Sequence, residues 1–247
     1  MKTLDEVKNN FQESLVMVGQ IVNIGSDIGN LLVSMLEGLK KDNESFSAFL
    51  PYKEKLDRTI DVVKMIKNDS RLKQKYEIIR NQAVVLVVEN FESYLNDCVK
   101  TLVNFYPGVI KWPEKKKILP VNTDVLRYSI PTVGDLVIAS LKKEEVNFQD
   151  LQSTLRFFKD YIEFDFVLED QRRDRIIFSH ALRNIVVHNG SIVDSGFLAQ
   201  VRNTSYAKKY KDKEKILLSE TEYQELFLEF QTFSNDIIDV LKSKIVE

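Results

Sequence analysis

Apolar side chains recur at steps of three and four along most of the chain, the spacing that gathers them on one side of an α-helix. Between 72 and 106 the series Ile78, Ile79, Val84, Val85, Val87, Val88, Phe91, Tyr94, Leu95, Val99, Leu102 and Val103 predicts one long helix, closed by Pro107-Gly108. The β-branched run at 84–88 has poor helix propensity, so burial has to hold it, and a central core helix is expected. Between 171 and 187 a second series, Ile176, Ile177, Phe178, Ala181, Leu182, Ile185 and Val186, leads into the helix stop Asn189-Gly190. Ser219 and Glu222 match a capping box ahead of a terminal amphipathic helix carrying Leu226, Phe227, Phe230, Phe233, Ile237, Val240, Leu241 and Ile245. Two shorter helices are predicted between these. Pro131-Thr132 starts one, with Thr132 and Asp135 as a capping pair, and Asn147 caps the next. The pattern as a whole predicts an all-α fold.

The N-terminal segment is the most apolar. Over 15–39 the polar residues Gln20, Asn23, Asp27, Asn30, Ser34 and Glu37 form one heptad-spaced stripe on an otherwise apolar helix. Asp27 near its centre would cost about 3 kcal/mol in a bilayer, which favours a buried or partner-packed helix over a membrane span. A break at 42–45 and a second helix at 52–66 complete a hairpin. The expected division is therefore 1–70, an N-terminal helical hairpin, and 71–247, a helical domain.

Composition narrows the function classes. With 247 residues and 44% hydrophobic content the chain can bury a sizeable core, and eight Gly and five Pro are too few for a turn-dense β fold. A formal net charge of −2 gives no global attraction for nucleic acid, so any such contact has to come from local clusters. The run Lys115-Lys116-Lys117 beside Trp112 is one candidate, able to hold a phosphate backbone with the indole stacked on a base, and a solvated loop is the other reading. Phe157, Phe158, Tyr161, Phe164 and Phe166 repeat along a helix, as core filling does. A single cysteine, Cys98, excludes an intrachain disulfide, and the acidic start of the chain does not resemble a signal peptide; a cytoplasmic setting without membrane attachment is expected.

Chemistry concentrates at the end of the 171–187 helix. Arg173, Ile177, His180, Asn184 and His188 fall on one line of that helix, with Arg172, Ser179 and Arg183 on the next. Two histidines eight apart and one cysteine do not supply a zinc or iron site, and no phosphate-binding glycine loop or serine nucleophile elbow occurs, so neither metal nor cofactor is expected. What remains is acid–base chemistry on a histidine beside arginines. RNA suits that chemistry, because its 2′-OH is an internal nucleophile that a neutral imidazole can deprotonate while a guanidinium stabilises the phosphoryl charge. A general acid is needed as well, and His180 lies about 12 Å down the helix from His188. A twofold dimer would supply a second His188.

Arg183-Asn184, then His188 and Asn189-Gly190 at a helix end, resembles the R-x4-H signature of the HEPN superfamily, over a region of roughly 76–246. The resemblance implies an up-and-down helical bundle that dimerises with the Arg and His of both chains facing one another. It also implies a metal-independent endoribonuclease of toxin–antitoxin or phage-defence type, held in check by an antitoxin or regulatory protein. A non-catalytic module binding RNA, a nucleotide or a protein partner is the other expectation within the same family. In the enzymatic reading Arg183 binds the scissile phosphate, His188 acts as base or acid and Asn184 orients one of them. Arg172, Arg173 and Arg175 extend the path of the strand with the three lysines, and Glu92, His180 and Asn189 support the site. Glu92 and Glu89 can also simply be solvated.

Overall fold

The computed structural model describes residues 2–44, 50–67, 69–111, 132–143 and 146–246. Its helices are α1 (Leu4–Glu44), α2 (Leu50–Lys67), α3 (Ser70–Phe105), α4 (Val133–Lys143), α5 (Leu151–Tyr161), α6 (Asp170–Asn189), α7 (Ser195–Val201) and α8 (Glu220–Val246), with a 3-10 turn at Pro107–Val109. The protein is all-α, as the periodicity predicts. Trp112, Lys115, Lys116 and Lys117 lie outside the described residues.

Helix α3 is the axis of the bundle, in contact with α1, α4, α6 and α8. Val84, Val87 and Val88 are buried, so tertiary packing supplies what their β-branched side chains withhold from the isolated helix. Around Phe91 the rings of Phe11, Tyr94, Phe230 and Phe233 close the centre, Phe91 and Phe230 meeting edge-on. The aromatic series of α5 fills a second part of the core: Phe157, Phe158 and Tyr161 are buried, and Phe166 reaches Phe233 on α8.

The same core takes in the first part of the chain. Leu4, Val7, Phe11, Leu15, Val18 and Val22 are buried in the cluster that also holds α3, α6 and α8. What projects from it is the outer part of α1 together with α2, joined by Glu37–Lys64 and Lys40–Asp57 ion pairs at 2.7 Å each. Of the buried or partner-packed helix expected over 15–39, Leu15, Val18 and Val22 lie in the core, while Ile24, Ile28, Leu31 and Met35 are all more than half exposed. No single helix among the described residues is long and apolar enough to cross a membrane.

Local signals hold at most helix ends. Asp135 N–H donates to Thr132 Oγ1 and Glu222 N–H to Ser219 Oγ, while each acid takes the backbone N–H of its cap residue in return. One cap differs from the prediction. Asp150, not Asn147, opens α5 by accepting from Ser153 N–H at 2.7 Å, whereas Asn147 Oδ1 accepts from Gln149 N–H in the preceding turn. A carboxylate at the helix start also meets the positive end of the helix dipole. At Gly134 a β-carbon would stand 2.8 Å from the Lys100 backbone, so the close approach of α4 to α3 requires glycine.

Candidate functional site

The site is built on the last turns of α6, and the backbone there is fixed from two sides. Gly190 takes the left-handed conformation that ends the helix (φ 60), and its N–H returns to Ile185 O. Ser191 is also left-handed (φ 68) and sends its own N–H to Ile185 O at 2.9 Å. Fully buried Asn81 on α3 then clamps this corner. Its Nδ2 donates to Ser191 Oγ (3.0 Å) and Ile216 O (2.7 Å), and its Oδ1 accepts from Leu218 N–H (3.1 Å).

That clamp also sets the register of α3 against α6. Position 81 meets 191 and, one helical stretch away, Glu89 meets Arg183, so the two helices run antiparallel. Arg183 Nε lies 2.6 Å from Glu89 Oε1, and Nη2 reaches the same oxygen. Nη1 donates to Asn184 Oδ1 at 3.1 Å. A guanidinium carries five N–H groups, and these bonds use three, which orients the group and leaves two for a ligand. The Arg183 side chain is one-quarter exposed.

His188 sits in the last turn, exposed. No hydrogen bond joins it to Arg183, to Asn184 or to any other described residue. Five residues of α6 separate it from Arg183, about 7.5 Å along the axis and on a different face, so one chain does not assemble the pair. Its chain neighbour Val187 is 50% exposed, and Leu86 on α3 and Ile192 just past α6 are exposed apolar side chains too, at 45% and 37%.

The other predicted residues divide sharply. Arg172, at the far end of α6, places Nη1 2.6 Å from Asp236 and Nε 2.7 Å from Glu229 Oε1, the latter a charge contact outside hydrogen-bond alignment. Arg173 pairs with Asp170 and Asp174, and Arg175 with Glu225 and Glu229. All three are therefore neutralised within the chain and remote from His188. Asn189 Nδ2 donates to Ile192 O at 2.7 Å and shapes the turn. Glu92 is half-buried; burial, then the negative Glu89 nearby, raises its pKa above the usual carboxylate value. It is Glu89, which sequence reading left with the solvated residues, that grips Arg183. Only the packing of α3 on α6 distinguishes the two.

His180 is buried, and burial pushes its imidazole down to about 4, so the ring is neutral near pH 7. Its Nδ1 is buried and has no hydrogen-bond partner among the described residues. Together with Arg183 and Asn184 it lines a cleft of about 480 Å³ between the start of α5, α6 and α7. His188 is not among the residues lining that cleft. The short helix α7 behind it, capped by Asp194 accepting from Phe197 N–H, went unpredicted although Asp194 at its start was a legible cap. No group of three or more His, Cys, Asp or Glu among the described residues is arranged to hold a metal ion. Compared with protein-family models, with curated proteins and with solved structures, the chain matches none.

Proposed function

We propose that the protein is a metal-independent endoribonuclease whose site is completed by a second copy of the chain, as the HEPN-like Arg183 to His188 spacing suggests. The observation that carries this reading is the contrast within the last turns of α6. Arg183 is held by Glu89 and Asn184 with two N–H groups to spare, and His188 stands exposed beside exposed Val187, without a hydrogen-bond partner among the described residues. A twofold axis beside His188 would bury Val187 and bring two imidazoles together.

One neutral imidazole then removes the 2′-OH proton, and the 2′-oxygen attacks the adjacent phosphorus. The P–O5′ bond breaks as the protonated partner imidazole gives its proton to the departing oxygen, leaving a 2′,3′-cyclic phosphate. Arg183 meets the charge that grows on the non-bridging oxygens, and Glu89 and Asn184 position the guanidinium. The setting we infer is a cytoplasmic toxin or phage-defence effector restrained by an antitoxin or regulatory protein.

A second reading, a module that binds RNA, a nucleotide or a protein without cutting it, is favoured by the Glu89 carboxylate, which already neutralises Arg183. Incubation with mixed RNA in excess EDTA separates the two. Cleavage with cyclic phosphate ends, lost in both His188→Ala and Arg183→Ala, supports the enzyme. RNA that stays intact, or is cut equally by wild type and variants, removes it.

A further inference from the structure

We infer that the cleft between α5, α6 and α7 is a ribonucleotide pocket that takes one base of a single-stranded RNA, with its phosphate held toward Arg183 and Arg202. The cleft, at about 480 Å³, is in the size range of small-ligand pockets. Its wall carries a buried ring nitrogen in need of a partner. His180 lines the cleft, is 4% exposed and neutral, and its Nδ1 has no hydrogen-bond partner among the described residues. Leaving such an atom unsatisfied costs free energy, and a base edge, which carries both donors and acceptors, removes that cost directly or through one water.

The rest of the lining fits a base edge better than a bare anion or an apolar molecule. Gln152, Gln200 and Asn203 are exposed side-chain amides, each able to donate and accept. Charge is present on the lining as well. Asp150 stands at the start of α5, and Arg183 is joined by Arg202, an exposed cation with no ion pair among the described residues. Because Arg183 and Asn184 belong both to this lining and to the proposed reaction site, a base seated here presents its phosphate to the same guanidinium. In that last step the inference rests on the ribonuclease reading; the pocket itself does not.

The test uses the full chain, titrated near neutral pH with AMP, CMP, GMP and UMP and, separately, with ribose 5-phosphate and inorganic phosphate. Affinity is read by calorimetry, and the His180 ring nitrogens by two-bond proton–nitrogen NMR. At least one nucleotide is expected to move the His180 Nδ1 resonance while the base-free compounds leave it in place. His180→Phe should weaken that nucleotide about tenfold, and the exposed changes Gln152→Ala and Arg202→Ala several-fold each with the fold intact. Equal binding of nucleotide and ribose 5-phosphate, an unmoved Nδ1 resonance, or no nucleotide bound at millimolar concentration overturns the proposal. Nucleotide binding without RNA cleavage would keep the pocket and remove the reaction, whereas cleavage with an empty pocket would do the reverse.

Discussion

The two ends of α6 carry the same residue types to different ends. In the first turns three arginines each meet two carboxylates, and Arg172 and Arg175 tie α6 to α8 through Glu225, Glu229 and Asp236. In the last turns one arginine keeps two N–H groups free and one histidine has no hydrogen-bond partner, among the described residues. Basic residues on one helix therefore serve the fold where two carboxylates take up each guanidinium, and keep N–H groups to spare where a single carboxylate, Glu89, holds one edge. His180 and His188 repeat the lesson. They share a line on the helix, yet one is a buried neutral ring and the other an exposed one.

The largest effect should come from the available end. His188→Ala is expected to lower RNA cleavage about a thousandfold, the scale of losing a general acid–base group. Arg172→Ala should leave the rate of the folded protein within about twofold, because the guanidinium it deletes is spent on the fold. A comparable loss in both variants would erase the distinction between the two ends.

Next comes the pH response of His180. Its folded pKa, about 4, lies below the ordinary 6.5, so the unfolded chain binds the extra proton first as pH falls. The stability it contributes is present above about pH 6.5 and is lost as the pH drops toward 4, an effect of about 3 kcal/mol by linkage. Glu92, whose folded pKa is raised, acts in the opposite direction, so the quantity to measure is the difference between wild type and His180→Phe. Urea unfolding at pH 7.5, 5 and 4 should show a shallower fall for the variant; parallel curves would mean that the ring is not buried neutral.

Smaller still, Arg172→Ala should destabilise the protein by about 2 kcal/mol, less than for a fully buried pair because Arg172 and Glu229 are 19% and 11% exposed and Arg175 still reaches Glu229. Thermal or urea unfolding reads it directly. His188→Ala should change stability by no more than about 0.5 kcal/mol, as an exposed residue without partners does. A large destabilisation there would give His188 a structural role.

All the helices but α7, most of their caps and the end of α6 were legible in the sequence because they depend on spacing within a few residues. Val84 to Val88 announced a buried helix by being poor helix formers, and Gly190 announced the stop. What escaped depends on how helices meet. Glu89 and Glu92 are one turn apart on α3 and look alike, and only the register fixed by Asn81 brings Glu89 to Arg183. His180 and His188 are two turns apart, and only the seating of the α5 start beside α6 buries the first. The cleft draws Gln149 and Asp150 from one segment and Gln200 and Arg202 from another, a union that no local pattern records.

The claim that a second copy completes the site is tested most directly by the dependence of cleavage rate on protein concentration in EDTA, with the mass distribution followed across the same range. The account predicts a rate that rises with the square of concentration while monomer dominates and becomes linear once dimer does. A rate strictly linear through a range in which only monomer is present would contradict it.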